Sequence, residues 1–393
     1  MFEKKILDKA LGAMQRGGIA ITYWDGETRK YGPDKPYATI HINDASVVRR
    51  MMRNTSLGFG ECYAEGLIEV DGPLTSIIRL SAENPISVHN LLSSIGKVKL
   101  KKNYHKTQKS YIAHHYDIGN DFYKLWLDES MLYTCAYFRT PKDTLEMAQQ
   151  QKIAHVLKKL RLEKGMSLAD LGCGWGDLLI TAAKQYGVSG IGVTLSEEQV
   201  KHANQRAKAE KVDNLVHFRL MNFQDLPAHM KGKQFDRVVS VGMMEHVGKG
   251  NMDTYFRAVD ALLKPGCISL MHYISVHTET DNDPWIDKYI FPGGYLQSIR
   301  QSIAILPKYN FYLTDYESLR MHYAMTCREW RRRFNAHKKD VVSMFDEQFY
   351  RMWDFWLACS EASFEYGNID LSHFVFTKGI VNDLPLTRED WYQ

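Results

Sequence analysis

Residues 147–276 alternate helical and strand-like segments, and this rhythm constrains the fold more than any other feature of the chain. Apolar, strand-like runs lie at 167–171, 190–195, 216–220, 235–242 and 267–274. A helical pattern precedes the first run at 147–160, and helical stretches of about ten residues separate most of the others. Such an alternation predicts an α/β fold with a largely parallel, doubly wound sheet and helices on both faces. Ligands of such sheets bind at the carboxyl ends of the strands.

Length and composition describe a globular chain with room for a large core. The 393 residues suffice for two or three domains of ~150 residues, and contents of 45% hydrophobic and 24% charged residues exclude disorder and fibrous repeats. No apolar run approaches the ~20 residues of a membrane span. The N-terminus carries charges where a signal peptide has an apolar stretch, so we expect a cytoplasmic protein.

Positive charge is concentrated in one short segment, 97–109, which holds six lysines and no acidic residue. Residues 1–96 hold 11 basic and 11 acidic groups, and residues 110–393 hold 33 and 35, so this segment carries the whole positive excess. We interpret it as a basic linker between two domains. It is either a solvated connector or a contact for an anionic phosphate surface, where each lysine contributes roughly 1 kcal/mol. A nucleic-acid-binding protein would need a broader basic face, so we expect no nucleic-acid partner.

Residues 1–96 have the pattern of a small α+β domain. Phe2, Ile6, Ala10 and Met14 recur every four residues, which predicts an amphipathic helix over 2–15. Two strand-like runs bounded by turn residues follow at 19–24 and 37–42. The helix could lie on a membrane, but we favour packing within its own domain, the commoner use of such a helix.

The cysteines indicate neither a metal site nor a redox pair. Six occur in the chain, and none forms a CxxC pair, so a zinc knuckle or a redox dithiol has no support. In a cytoplasmic protein we expect six free thiols.

A glycine-rich loop follows the first strand of the predicted sheet. The run 167–171 leads directly into DLGCGWG at 170–176, and a helical stretch begins after it. The spacing is GxGxG, whereas a dinucleotide-binding loop has its third glycine one position later, for a pyrophosphate on the helix. Asp170 before the glycines instead suits a nucleoside-like ligand without phosphates, such as S-adenosylmethionine (SAM). Asp170 would orient the loop or the ammonium group of that ligand, although strand-to-helix turns are also glycine-rich for purely structural reasons.

The ends of the second and third strands offer further polar groups. Thr194 lies at the end of the second strand and Gln199 one helical turn later, where a ribose would bind. Phe223 and Gln224 follow the third strand and could supply a ring to stack on adenine with a polar edge beside it. Each of these residues, taken alone, is equally plausible as an ordinary loop residue.

Several longer segments are recognisable once this loop is identified. They are HHYDIGNDFYKLWLDESMLYTCAYF (114–138), DLGCGWG (170–176), GVTLSEEQ (192–199), VGMMEHVG (241–248), LMHYIS (270–275), DPWIDKYIFPGG (283–294) and MHYAMTC (321–327). Together they resemble the cyclopropane-fatty-acyl-phospholipid synthase family, in order and with family-like spacing. The resemblance implies a seven-stranded class I methyltransferase sheet in a catalytic domain at 110–393. Residues 1–96 resemble the extra N-terminal domain of the phospholipid-acting members.

The resemblance implies methyl transfer from SAM to the cis double bond of an unsaturated phospholipid acyl chain, which then closes to a cyclopropane and leaves S-adenosylhomocysteine (SAH). Attack by an alkene on a sulfonium methyl leaves a carbocation on the chain. That cation needs the exclusion of water, a base, and electron-rich walls, each aromatic face contributing roughly 0.5–2 kcal/mol.

The family also implies a homodimer and a peripheral enzyme at the inner face of the membrane. Segment 97–109 would meet headgroups there, with possible help from the arginines at 328, 331, 332 and 333.

The base that the resemblance implies is a bound bicarbonate ion. The ligands that carry over to this sequence are Cys135, Glu245, His272, Ile274 and Tyr323. The bicarbonate hydroxyl would donate to Glu245, which raises the basicity of the ion, while His272 and Tyr323 would donate to its other oxygens. Strand alternation places His272 and Ile274 on one face, and Ile274 offers only backbone groups. Each residue alone has an ordinary structural explanation, and the neighbouring His246 and His322 receive no role.

The cofactor residues that carry over are Tyr133, Gly172, Gly174, Thr194, Leu195, Gln199, Phe223 and Gln224, to which the loop argument adds Asp170.

Segment 277–297 is either a wall or lid over an acyl tunnel, or a long packed loop. Three other functions remain open at this point. They are methylation without ring closure, methylation of a small-molecule oxygen or nitrogen, and a non-enzymatic lipid-binding or scaffold role.

Overall fold

The computed structural model describes residues 2–84 and 118–392, which divide by their contacts into two compact units. The small-sheet unit comprises 2–84, 283–292 and 324–368. The large-sheet unit comprises 118–282, 293–323 and 369–392. The basic linker at 97–109, and with it both predicted domain boundaries, lies outside the described residues.

The strands are β1 (Ile19–Thr22), β2 (Thr28–Tyr31), β3 (Thr39–Ile42), β4 (Ile68–Asp71), β5 (Ser167–Leu171), β6 (Ser189–Thr194), β7 (Val216–Leu220), β8 (Phe235–Val241), β9 (Leu263–Val276), β10 (Gln297–Ser298), β11 (Phe311–Ser318) and β12 (Ile369–Lys378). Short 3-10 helices lie at Phe223–Asp225, Met244–His246 and Leu306–Tyr309.

The α-helices are α1 (Phe2–Leu11), α2 (Ser46–Arg53), α3 (Thr55–Ala64), α4 (Ser76–Glu83), α5 (Asn120–Lys124), α6 (Leu145–Lys159), α7 (Asp177–Tyr186), α8 (Glu197–Ala209), α9 (Leu226–His229), α10 (Met252–Leu262), α11 (Pro284–Tyr289), α12 (Ile299–Ile305), α13 (Arg320–Ala336), α14 (Lys338–Met344), α15 (Glu347–Tyr366) and α16 (Glu389–Tyr392). None of the helices in the described ranges is long and apolar enough to cross a membrane.

The small-sheet unit contains a mixed sheet of order β2-β1-β3-β4, in which only the β1–β3 pair is parallel. Helix α1 packs in this unit through the buried Leu7 and Ala10, and Asp8 accepts a hydrogen bond from the Tyr31 hydroxyl at 2.6 Å. The helix ends at Leu11, four residues earlier than the predicted 2–15, because Gly12 follows it and begins a turn.

Two segments that are distant in sequence complete the core of the small-sheet unit. Trp285 of α11 is buried, and its ring lies 5.0 Å from that of Phe355 in α15. Phe355 in turn lies 5.5 Å from Phe59 of α3. Segment 283–292 is therefore a packed part of this unit, and its two largest buried side chains, Trp285 and Ile290, belong to the core.

The large sheet confirms the predicted doubly wound α/β architecture. Seven strands follow the order β11-β12-β9-β8-β5-β6-β7, and β10 pairs separately with β9. The pairs from β9 through β7 are parallel, whereas β12 runs antiparallel to both β9 and β11. One face is covered by a core that includes Leu157 and Leu179, and the other by a core that includes Phe256 and Val259, so helices pack on both faces.

Candidate active site

A cavity opens at the carboxyl ends of β5, β6 and β8, the edge of the sheet at which a ligand is expected. It is lined by Met131, Leu132, Tyr133, Thr134, Lys152, Asp170, Gly172, Cys173, Gly174, Trp175, Asp177, Leu178, Val193, Thr194, Leu195, Gln199, Met221, Phe223, Val241, Gly242, Met243 and His246. Eight of the nine predicted cofactor residues line this cavity, namely Tyr133, Asp170, Gly172, Gly174, Thr194, Leu195, Gln199 and Phe223.

The glycine loop is held against β6 and leaves backbone open to the cavity. The N–H groups of Gly172 and Cys173 both donate to the Val193 carbonyl at 3.0 Å. Gly172 has a φ of 93°, and a Cβ there would lie 2.8 Å from the Met243 side chain. Gly174 has a φ of 53°, and a Cβ there would meet no atom within 4 Å. Gly174 therefore faces open space, so a ligand can approach its backbone closely.

Asp170 presents an unsatisfied carboxylate oxygen at this cavity. The residue is 2% exposed, and its Oδ1 is buried without a hydrogen-bond partner among the described residues. Burial raises the pKa of Asp170 to about 7, and the positive charge of Lys152 only partly opposes this. A buried acceptor without a donor is costly, so this oxygen fits a ligand that brings an N–H group.

The ribose and adenine residues are placed by two neighbouring turns. The Thr194 hydroxyl donates to Gln199 Oε1 at 2.6 Å, and the Ser196 side chain caps helix α8 between them. Phe223 is buried at the cavity, with its ring 5.9 Å from that of Tyr255. Gln224 is in the same 3-10 helix but does not line the cavity, because successive side chains of a 3-10 helix point about 120° apart. Its contact with adenine stays a prediction.

Two further lining residues, Lys152 and His246, were assigned no role from the sequence. Lys152 is 2% exposed and donates to Thr134 Oγ1 at 2.8 Å. Lys152 lies on the face of α6 that also carries Leu145, Ala148 and Val156. A lysine rarely occupies an apolar helix face, so this position could have identified Lys152 from the sequence. Burial lowers the pKa of His246 to about 4, so this imidazole is neutral near pH 7.

Glu245 combines one satisfied and one unsatisfied carboxylate oxygen. Its Oε1 accepts a hydrogen bond from the Ile274 N–H at 2.6 Å, and its Oε2 is buried without a partner among the described residues. Burial raises the pKa of Glu245 to about 7, against the lowering effect of the Ile274 hydrogen bond. A carboxyl group in this state can exchange a proton near neutral pH.

His272 lies on β9, two residues before Ile274, and is almost fully buried. Its Nδ1 is 2.8 Å from Nε2 of His373 on β12, and its Nε2 is buried without a partner in the part of the chain described. Burial, followed by the charge of Lys152, keeps the pKa of His272 well below its usual range, so the ring is neutral. No role was predicted for His373, which pairs with His272 across the two strands.

A buried charge network lies behind this histidine pair. Glu317 accepts hydrogen bonds from Lys159 at 2.6 Å and His155 at 2.7 Å, and His373 Nδ1 lies 3.8 Å from the same carboxylate. Burial alone would raise the pKa of Glu317, but the His155 hydrogen bond and the Lys159 charge lower it to about 2. Glu317 is therefore an ionised, paired carboxylate that anchors His155 and faces His373.

Cys135 and Tyr323 are positioned by different parts of the large-sheet unit. Cys135 is fully buried, and its thiol donates to the Ala136 carbonyl at 3.2 Å. Tyr323 lies in the first turn of α13, and the adjacent His322 accepts a hydrogen bond from the Phe138 N–H at 3.0 Å. That bond ties the start of α13 to the Cys135 segment. Convergence of all five predicted bicarbonate ligands on one ion stays a prediction.

All six cysteines lie in the described ranges and none forms a disulfide.

Two family models match the chain. One, described as mycolic acid cyclopropane synthetase, matches residues 103–374. The other, described as a domain of unknown function, matches residues 6–91. Together they separate an N-terminal segment from a C-terminal one.

Two curated proteins are similar over nearly the whole chain. The cyclopropane-fatty-acyl-phospholipid synthase of Escherichia coli is 38% identical over 359 residues, which is 89% of this chain and 91% of that protein. A probable fatty acid methyltransferase of Pseudomonas putida is 34% identical over 386 residues, which is 95% of this chain and 96% of that protein.

A solved structure shares the fold. The crystal structure of the mycolic acid cyclopropane synthase CmaA1 complexed with SAH and CTAB is 31% identical, with a TM-score of 0.64. The match covers 71% of this chain and 99% of that one. The predicted class I methyltransferase fold is confirmed.

Proposed function

The chain belongs to the mycolic acid cyclopropane synthetase family and is a SAM-dependent methyltransferase, and on that premise we propose that it converts a cis double bond of an unsaturated phospholipid acyl chain into a cyclopropane. The observation that carries the proposal is the cavity itself. A glycine loop and the unsatisfied Asp170 carboxylate lie at one edge of the sheet, and Glu245 follows β8 at the same edge.

The residues of the cavity fit SAM. Asp170 Oδ1 offers an acceptor for an ammonium group, the open face of Gly174 admits close approach of a ligand, and the Phe223 ring offers an apolar surface for a base. When bound, SAM supplies an electrophilic methyl group and leaves as SAH. The chain holds this group in a lined, largely apolar cavity, where exclusion of water protects a cationic acyl chain from hydration.

Aromatic side chains beside the cavity support the formation of a cation. Tyr133 lines the cavity, and its ring centroid lies 5.4 Å from that of Tyr123 and 5.3 Å from that of Trp126. Aromatic faces attract a nearby cation by roughly 0.5–2 kcal/mol each. Tyr133 is therefore the residue that we assign to this wall.

The base that completes ring closure is proposed to be bicarbonate, held by Glu245 and His272 with Cys135, Tyr323 and the Ile274 backbone. Glu245 Oε2 and His272 Nε2 are both buried and unsatisfied, which fits an ion with several hydrogen-bonding oxygens. A bound bicarbonate would supply the base that removes one proton from the transferred methyl carbon. Glu245 contributes by exchanging a hydrogen with that ion, because its pKa of about 7 lets it accept or donate near neutral pH.

The substrate is proposed to be a phospholipid in a bilayer, reached by a homodimeric enzyme at the inner face of the membrane. The name of the Escherichia coli relative supports the substrate class. The six lysines of segment 97–109 supply the positive charge for an anionic surface. Carboxylates already pair with the arginines at 328, 331, 332 and 333, so the proposal rests on the lysines alone.

Replacing the lysines of segment 97–109 with Gln should weaken binding to anionic vesicles, as should added salt. Unchanged binding would contradict the proposed contact between this segment and the membrane.

A second candidate is methylation of the acyl chain without ring closure. The name of the Pseudomonas putida relative, which covers 95% of this chain, favours it. The two reactions share the cationic acyl chain and differ in how that cation is resolved.

The proposal is tested by incubating the protein with methyl-labelled SAM and vesicles of mono-unsaturated phospholipid, followed by chromatography and mass spectrometry of the fatty acids. Labelled cyclopropane acids are expected. Vesicles of saturated phospholipid serve as the control, because they offer no alkene. A labelled branched or methylene acid would favour the second candidate, and absence of label in every acyl chain would overturn both.

A further inference from the structure

A row of polar side chains crosses three neighbouring strands of the large sheet. His272 of β9, His373 of β12 and Glu317 of β11 contribute one side chain each. The strand register places His272 opposite His373, and His373 opposite Glu317. Both histidines are at most 1% exposed, whereas the Glu317 side chain is 19% exposed. The row therefore leads from a buried site towards solvent.

The two histidines of this row share one hydrogen. His272 Nδ1 lies 2.8 Å from His373 Nε2, so one of these nitrogens donates and the other accepts. Burial keeps the pKa of each ring well below the usual histidine range, so both rings are neutral and carry one N–H each. Their tautomers are therefore coupled. When His272 Nδ1 holds the shared hydrogen, His272 Nε2 is a bare acceptor and His373 carries its N–H at Nδ1.

Glu317 favours this arrangement of the pair. Its Oε2 lies 3.8 Å from His373 Nδ1, which is too long for a hydrogen bond but short enough for electrostatic attraction. Burial opposes ionisation of Glu317, but the His155 hydrogen bond and the Lys159 charge lower its pKa to about 2, so it is a carboxylate. A carboxylate attracts an N–H and repels a nitrogen lone pair. His373 Nδ1 has no hydrogen-bond partner in the described part of the chain.

The other charged groups around the pair come from helix α6. Burial, then Lys152, Lys159 and His155, keeps the pKa of His272 low, so these side chains disfavour a doubly protonated ring. Lys159 and His155 both donate to Glu317 Oε2, at 2.6 and 2.7 Å. Helix α6 therefore keeps the histidines neutral and keeps Glu317 ionised.

The outer end of the row also has the spacing of a metal site. His155, Glu317 and His373 place three potential ligand atoms within 4.8 Å of one another. The Lys159 ammonium, however, already contacts the Glu317 oxygen that such an ion would use. Two cations on one buried oxygen repel each other strongly, because the local dielectric constant is low. The arrangement therefore favours proton transfer over metal binding.

We infer that His272, His373 and Glu317 form a proton relay that leads away from the candidate active site. His272 Nε2 is the entry, because it is buried and has no partner among the described residues. When a hydroxyl group of a bound ligand gives its proton to Nε2, the Nδ1 hydrogen moves to His373 Nε2. The His373 Nδ1 hydrogen then moves to Glu317, which must approach by about 1 Å.

The hydrogens and charges of this relay balance. Each ring gains one hydrogen and loses one, so both rings end neutral. The ligand oxygen keeps the electron pair of its O–H bond, and the carboxylate takes the single added proton. Because the pKa of Glu317 is about 2, the acid releases this proton readily. The Tyr392 hydroxyl, which donates to Glu317 Oε1 at 3.3 Å, belongs to a residue that is 55% exposed, so the exit lies at this end.

The inference rests on the proposed function, because ring closure releases one proton from a buried site and that proton must reach solvent. Only His272 would touch the ligand, so His373 and Glu317 are positioning residues that act through it. The relay makes His272 Nε2 an acceptor, whereas the family resemblance implies a donor.

The tautomers are measured first, on the unmodified protein without ligand, labelled with a heavy nitrogen isotope at histidine. Long-range proton–nitrogen NMR spectra distinguish a protonated from a bare ring nitrogen, and His272→Gln and His373→Gln assign the signals. Both rings should carry hydrogen at Nδ1 and be bare at Nε2 near neutral pH. Hydrogen on His272 Nε2 would overturn the inference, as would one tightly bound zinc ion per chain.

Glu317→Met tests whether the carboxylate sets these tautomers, because it removes the charge and the acceptor and keeps an unbranched side chain. The fraction of His272 with hydrogen on Nε2 should rise from minor to major. Asp315→Leu is the matched control, since Asp315 also contacts Lys159, at 3.5 Å, but lies opposite Val375 in the register. The control should leave the tautomers unchanged. Unchanged tautomers in Glu317→Met would overturn the inference.

His373→Ala tests the transfer itself, because it interrupts the row and leaves space for a small imidazole. Formation of labelled cyclopropane acid should fall roughly 10- to 100-fold. SAH affinity should not change, because His373 does not line the cofactor cavity. Added imidazole should restore part of the turnover, whereas 1-methylimidazole should not, because only imidazole can take a hydrogen at one nitrogen and release one from the other.

Equal rescue by both compounds would show that His373 only fills space, and full activity without either would show that it is dispensable. Both outcomes would overturn the relay. If the unmodified protein forms no cyclopropane acid, the proposed function falls. The tautomer measurement then still decides whether the pair is arranged as inferred, because it needs no turnover.

Discussion

The carboxylate of Glu245 accepts a 2.6 Å hydrogen bond from the backbone N–H of Ile274. This bond joins the 3-10 helix that follows β8 to the neighbouring strand β9. It fixes one carboxylate oxygen and leaves Oε2 buried and unsatisfied. A group held in this way is oriented for a ligand at some cost in stability, as is common at functional sites.

Glu245→Gln should abolish most of the activity while leaving the cofactor site intact. The amide can still accept from Ile274, but it cannot exchange a proton, so product formation should fall by roughly 100-fold or more. SAH affinity, measured by calorimetry, should change little because Glu245 does not line the cavity. Added bicarbonate should not restore the variant. Glu163→Gln makes the same chemical change at an exposed position and serves as the control. Full activity of Glu245→Gln would contradict the role of Glu245 in holding the base.

Asp170 and Glu245 should make the protein less stable as the pH rises through the weakly acidic range. Burial raises both pKa values to about 7, so between about pH 4 and pH 7 the folded state binds protons that the unfolded state has released. The free energy of unfolding therefore falls with rising pH in this window. Asp170→Asn and Glu245→Gln should each be more stable than the unmodified protein above pH 7, by at most roughly 4 kcal/mol.

Urea denaturation at pH 4 and pH 8 checks this expectation. The advantage of each variant should be present at pH 8 and absent at pH 4. Asp213→Asn makes the same chemical change at an exposed position and serves as control. Variants that are less stable than the unmodified protein at pH 8 would show that the two carboxylates stabilise the fold.

Gly174→Leu should block the cofactor site without unfolding the protein. The new side chain would project into open space at the cavity, where no atom lies within 4 Å of its Cβ. The positive φ of 53° costs roughly 1–2 kcal/mol in stability. Gly165→Leu also lies at a positive φ, of 87°, in open surroundings but outside the cavity, so it should lose stability and keep SAH affinity. Calorimetry and thermal unfolding separate the two effects, and unchanged SAH binding by Gly174→Leu would exclude the loop from the site.

Gly60→Ala should destabilise the small-sheet unit, although the same change in an exposed helix stabilises by about 1 kcal/mol. A Cβ at position 60 would lie 2.3 Å from the indole nitrogen of Trp285. Relieving that overlap should cost about 1–3 kcal/mol, measured by urea denaturation. In the double variant Gly60→Ala, Trp285→Leu, the cost of the alanine should disappear, because the smaller side chain leaves room. Additive losses would mean that the two residues do not pack together.

Features encoded by neighbouring residues were predictable from the sequence. The run 167–171 matches β5 at both ends, and the helix after the glycine loop begins at Asp177 as its sequence indicates. The loop itself was predictable because the acid, the glycines and the flanking elements adjoin one another in the chain. Most residues that line the cavity were accessible in the same way, since strand ends of a parallel sheet meet at one edge.

Features that depend on distant packing were not predictable. Residues 283–292 join the small-sheet unit because Trp285 packs on Phe355, and no local pattern reveals that pairing. His373 contacts His272 only through the register of β12 against β9. Lys152 lines the cavity because the face of α6 that carries it points inward. The sequence pattern indicates that this helix face is buried, but it does not show that the face lies at the cavity.

The fate of the three hydrogens of the transferred methyl group distinguishes ring closure from methylation alone. SAM with a trideuterated methyl group is supplied with mono-unsaturated phospholipid vesicles, and the fatty acids are analysed by mass spectrometry and proton NMR. We expect a cyclopropane ring whose new carbon keeps two deuterium atoms, because the base removes one. A product that keeps all three as an open-chain methyl branch would contradict ring closure and the base that we assign to it.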